Sequence, residues 1–239
     1  MDAGRDSDVA RRKATKLVCE RKSVICPVMQ CWGITRSDEI SLINEAAPDL
    51  CAFVVDDQSK QGSVDPMQLS SLVRQLCSSI PAVGIFADKP PRELAGLVAA
   101  GSIDIIQLAG HEDEAYLFEL RTALMSFGVR RAPIMKTFYL EDAEDVSAAE
   151  QSTADLVVVS GKDNLMDVKD ALPFLETGQL KRDFIVGVGD VAADLAVVLK
   201  KIKPYGVSVS LGFASVAAES ADHLISTSAT IRSTEYNNS

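Results

Sequence analysis

The sequence predicts a single (β/α)8 barrel, and three observations carry that reading. Short β-branched runs alternate with amphipathic stretches along the chain. The runs are continuously apolar, as parallel strands covered on both faces require. Eight such pairs fit into 239 residues, which is about 25 to 30 residues per unit. A doubly wound open sheet is the alternative, but it seldom uses eight units of such even length. No Pro/Gly-rich linker divides the chain. Residues 23–227 therefore read as one barrel, with an N-terminal extension over 1–22, disordered or helical, and a polar C-terminal tail over 228–239.

The first strand candidate is SVICPVMQ (23–30). The helix after it, SDEISLINEAA, opens on Ser37 as N-cap and sets Ile40, Ile43 and Ala47 on one face. CAFVV (51–55) leads to DPMQLSSLVRQLCSS, where Asp65 caps, Pro66 takes the first helical position, and Leu69, Leu72, Val73 and Leu76 form the apolar stripe. AVGIF (82–86) precedes PPRELAGLVAAG, and IDIIQL (103–108) precedes EDEAYLFELRTALMSFG; both helices end in glycine, a C-cap signal. The strands PIMKTF (133–138), DLVVVS (155–160), FIVGV (184–188) and VSVS (207–210) are each followed by a helix: EDAEDVSAAEQS, LMDVKDALPFLETG, DVAADLAVVLKKI and ASVAAESADHLIS.

Composition narrows the function classes. A net charge of −10 disfavours nucleic acid. Five cysteines without a C-x-x-C pair read as reduced thiols of a cytoplasmic protein. His111 and His223 lie too far apart in sequence to suggest a metal site, and no cofactor is expected. No apolar run is long enough for a bilayer, and the N-terminus lacks the apolar centre of a signal peptide. A small phosphorylated molecule remains compatible, because backbone N–H groups at a helix N-terminus hold a phosphate monoester locally.

In such a barrel the chemistry belongs to the loops at the strand carboxyl ends. GVGD (187–190) and SLGFAS (210–215) each run from a strand into a helix, making Gly187, Gly189, Ser210 and Gly212 phosphate-binding candidates. Trp32, the only tryptophan, ends the first apolar run. It is either a plug in the barrel mouth or a stacking wall for a flat ligand. Lys136 is a candidate for a mouth-facing amine able to lose its proton or form a Schiff base, with a structural ion pair to Asp163 or Glu141 as the plainer alternative.

The stretches CWGITRSDEISLINEAAPDLCAFVV, AVGIFADKPPRELAGLVAAGSIDIIQLAGHEDE, PIMKTF and IKPYGVSVSLG resemble phosphoribosylanthranilate isomerases over roughly residues 24–220. That resemblance implies a (β/α)8 barrel catalysing an Amadori rearrangement in tryptophan biosynthesis. It also implies a cysteine base after the first strand, an aspartate acid after the sixth, and phosphate on the last two loops. The match departs from the family at its reactive positions. Trp32 stands where the base belongs, and indole accepts no proton at neutral pH. Ser160 stands where the acid belongs, and a hydroxyl titrates too high for the role. The fourth-strand histidine is Ala109, the eighth-strand aspartate is Ser208, and the second loop lacks its arginine, Lys60 being the nearest cation. Cys31 and Asp163 are improvised substitutes, although Cys31, one residue off, should face the other side of the strand. Three readings follow: an isomerase with a degraded active site, weak or inactive; a non-catalytic ligand- or partner-binding barrel; and an enzyme built around Lys136.

Overall fold

A computed structural model describes residues 6–20, 26–56, 62–161, 173–176, 178–188, 195–211 and 217–234. Its eight barrel strands are β1 (Val28–Trp32), β2 (Leu50–Val55), β3 (Ala82–Phe86), β4 (Ile105–Leu108), β5 (Ile134–Tyr139), β6 (Leu156–Ser160), β7 (Phe184–Val188) and β8 (Gly206–Ser210). The helices are α1 (Ser7–Val18), α2 (Ser37–Ala46), α3 (Pro66–Gln75), α4 (Pro91–Ala99), α5 (Glu114–Ser126), α6 (Ala143–Gln151), α7 (Leu195–Ile202) and α8 (Ala217–Ser233). Neighbouring strands are parallel throughout, and β1 pairs with both β2 and β8, so the sheet closes into a ring. Two residues, Ser63–Val64, extend the ladder beside the end of β2.

Two apolar layers explain the continuous runs. Residues such as Leu50, Ala52, Val83, Ile105, Met135 and Val158 fill the ring. Their strand neighbours, among them Cys51, Phe53, Ile106, Ile134 and Val157, pack outward against the helices. Both sides of each strand are therefore dry, and an alternating pattern never develops. The first strand begins later than the sequence suggests, at Val28 rather than at 23, and runs on to Trp32, which pairs with Ala52 and Ser210. Residues 23–25 lie outside the described residues.

Local chemistry sets the helix ends. Asp65 caps α3 by accepting N–H bonds from Met67 and Gln68, both 2.8 Å. Ser37 is not the cap of α2 but its first residue. The capping work passes to Glu39, whose carboxylate accepts the N–H groups of Thr35 at 2.7 Å and Arg36 at 2.9 Å. Gly101 and Gly128 take φ of +75° and +77° just beyond α4 and α5, the left-handed turn that glycine adopts without strain. The helix expected over 165–178 falls mostly outside the described residues.

The N-terminal extension holds a helix, and it belongs to the barrel. Asp6 caps α1, whose buried Ala14 and Val18 join the apolar cluster inside the ring. Tyr205 Oη donates to the Leu17 carbonyl at 2.8 Å, and the Arg11 guanidinium donates to the Val98 carbonyl. These contacts lay α1 across the amino end of the ring. At the other terminus α8 runs to Ser233, past the boundary at 227 read from sequence. Ile231 anchors it in the core, and Arg232 donates to the Ala47 carbonyl at 2.7 Å.

Candidate active site

Trp32, Ala109, Thr137, Ser160, Gly187 and Ser208 meet at the carboxyl ends of the strands, where with Val54, Ile85, Gln107 and Val158 they line a cavity of about 30 Å³. The constriction has a visible cause: Trp32 faces inward, packs against the interior cluster and remains partly exposed. Gly187 is a glycine because Ser160 crowds it; a Cβ there would lie 2.9 Å from Ser160 Oγ.

Beneath the indole lies a polar layer. Gln30 Nε2 donates to Gln107 Oε1 at 2.9 Å and to Ser208 Oγ at 3.2 Å, and Gln107 Nε2 donates to Thr137 Oγ1 at 3.1 Å. Gln30 is fully buried, and its Oε1 has no donor among the described residues. The layer is uncharged throughout. Sequence reasoning missed it, although Gln30 and Gln107 are the single amides in two otherwise apolar runs.

Among the other candidates, Cys31 does not reach the cavity. It is completely buried on the outward face of β1, and burial pushes its thiol up to about 12. It is no base at any physiological pH. Lys136 does not face the mouth either; among the described residues its ion partner is Glu112 rather than Glu141, and Asp163 lies outside the described residues. β5 turns Met135 and Thr137 inward, so Lys136 points outward. There its Nζ lies 2.9 Å from Glu112 Oε2 and 2.7 Å from the Gly110 carbonyl. The Glu112 carboxylate also accepts the N–H groups of Asp88 at 2.8 Å and Gly110 at 2.9 Å. A lysine held by a buried carboxylate beneath two loops forms a structural ion pair rather than a mouth-facing amine. His111, at the surface of the same loops, holds the Asp88 carboxyl below its ordinary range through a 3.0 Å hydrogen bond.

Gly187, the penultimate residue of β7, faces inward, and Ser210 ends β8 opposite Trp32. Gly189, Gly212, Asp163 and Lys60 lie outside the described residues. No described residues group three or more His, Cys, Asp or Glu side chains where they could hold a metal, and no described helix is long and apolar enough to cross a membrane.

The thiol reading yields a test. In the native protein Cys77, which is exposed, is expected to react with a thiol reagent while Cys31 stays unmodified until the chain unfolds. The folded Cys31 thiol titrates above an unfolded one at 9.0, so its contribution to stability is intact below pH 9 and falls as pH rises toward 12. Cys31→Val is expected to remove that part of the alkaline decline in urea midpoint.

A closed parallel ring with a polar-floored cavity among the strand carboxyl ends defines a (β/α)8 barrel. No family model matches the chain. The N-(5'-phosphoribosyl)anthranilate isomerase of Endomicrobium trichonymphae is 26% identical over 224 residues, covering 87% of this chain and 99% of that protein. The phosphoribosylanthranilate isomerase structures from Thermus thermophilus and Thermotoga maritima superpose with TM-scores of 0.67 and 0.68, at 23% and 16% identity. Each covers 86% of this chain and 98% of the other. The chain is thus similar in sequence to curated phosphoribosylanthranilate isomerases and shares the fold of their solved structures.

Proposed function

We propose that this chain is a member of that family which no longer catalyses the Amadori isomerisation and serves as a small-molecule-binding barrel. One observation carries the reading. Among the described residues that line the mouth, none has a side chain that titrates near neutral pH. The rearrangement needs a group to protonate the ring oxygen and another to remove the C2′ proton, each worth about 10² to 10⁴ in rate. Trp32 and Ser160 do neither, and Cys31 lies behind the strand wall. What remains suits binding: an indole wall, hydroxyl and amide donors, and Gly187 and Ser210 near the ends of β7 and β8. A phosphate monoester on those last two loops is the ligand class this arrangement favours.

The test is a direct assay of the purified protein for loss of phosphoribosylanthranilate fluorescence. No turnover above the uncatalysed rate is expected. Turnover that Asp163→Asn abolishes would overturn the proposal and establish an improvised isomerase.

A further inference from the structure

At the opposite end of the ring from the mouth, a second cavity of about 240 Å³ opens where α1 crosses the α4–β4 and α5–β5 connections. Arg11, Arg130 and Arg131 line it, with Phe127, Val129 and Pro133 as apolar wall. Arg11 donates one guanidinium N–H to the Val98 carbonyl, but its Nε–H is buried without an acceptor among the described residues. The bond to Val98 fixes the Arg11 guanidinium at the cavity wall, and a guanidinium carries further N–H donors suited to an anion.

The charge distribution agrees. Seven of the 24 Lys and Arg residues fall in the first 22 positions, although the chain as a whole carries −10. At the cavity two carboxylates oppose the three guanidiniums. Asp104 borders it, accepting the Ala82 N–H at 2.8 Å, and Glu20 lies 3.3 Å from Arg131. With Arg92 held over the Phe127 ring at 5.9 Å, positive charge is in excess among the described residues at the cavity, which suits an anion. A guanidinium fork fits a carboxylate, and the Phe127 side of the cavity fits an apolar body. The volume admits only a small molecule.

We propose that this amino-end cavity is a binding site for a small monocarboxylate with an apolar or aromatic body. Benzoate is the probe, titrated by calorimetry into the full-length protein at neutral pH and low salt. Saturable binding with a Kd at or below about 1 mM is expected, weakened by added salt. Arg11→Gln and Arg130→Gln are each expected to weaken it about tenfold or more. Because Arg11 also holds α1 in place, the exposed Arg130 is the deciding position. Absence of saturable binding, affinity unchanged in Arg130→Gln, or tighter binding of inorganic phosphate than of benzoate would each overturn the assignment.

Discussion

Glu112→Leu is expected to destabilise the protein by about 3–5 kcal/mol, the range for breaking a buried ion pair from one side. Side-chain exposure is 1% at Glu112 and 7% at Lys136, so water cannot replace the lost partner. The substitution strands the Lys136 ammonium with the Gly110 carbonyl and the Phe138 ring 6.0 Å away, and it removes the acceptor for the Asp88 and Gly110 N–H groups. Lys136→Met is expected to cost less, because Glu112 keeps those two N–H donors. The double substitution should cost less than the sum of the two. Urea denaturation of the four proteins measures all three differences. A larger loss for Lys136→Met than for Glu112→Leu would show that the carboxylate, not the ammonium, is the group that needs its partner.

The second large effect concerns the mouth. Trp32→Cys with Ser160→Asp is expected to raise phosphoribosylanthranilate turnover at least about 10²-fold above the unsubstituted chain, while either change alone leaves it at background. Both residues line the same cavity, so their replacements converge on one space. Removing the indole enlarges that space, and Gly187, which carries no side chain beside Ser160, leaves room for a carboxylate at 160. Ala109, Ser208 and the second loop still depart from the family, so recovery should be partial. A double variant at background would mean that substrate holding has gone along with the proton shuttle.

These predictions draw on different depths of information. The carboxyl-end positions of Trp32, Ser160, Gly187 and Ser210 were readable because strands and helices alternate and the family motifs set the register. The outward face of Cys31 was readable from parity, since its neighbour Trp32 marks the inward one. Lys136 was not. Strand β5 is dry on both sides, so nothing in the run IMKTFY distinguishes the lining face from the helix-facing one. Its ion partner is remote for the same reason: Glu112 precedes α5 and meets Lys136 only because β4 and β5 are neighbours in the ring.

The sequence alone determined the order of the described strand–helix units and the caps at Asp65, Gly101 and Gly128, because these depend on neighbours within a few residues. Tertiary structure decided the burial of Lys136 against Glu112, the amide layer from Gln30 to Thr137, and the packing of α1 across the amino end of the ring. Each of those joins residues distant in the chain, and such contacts are set only when the ring closes.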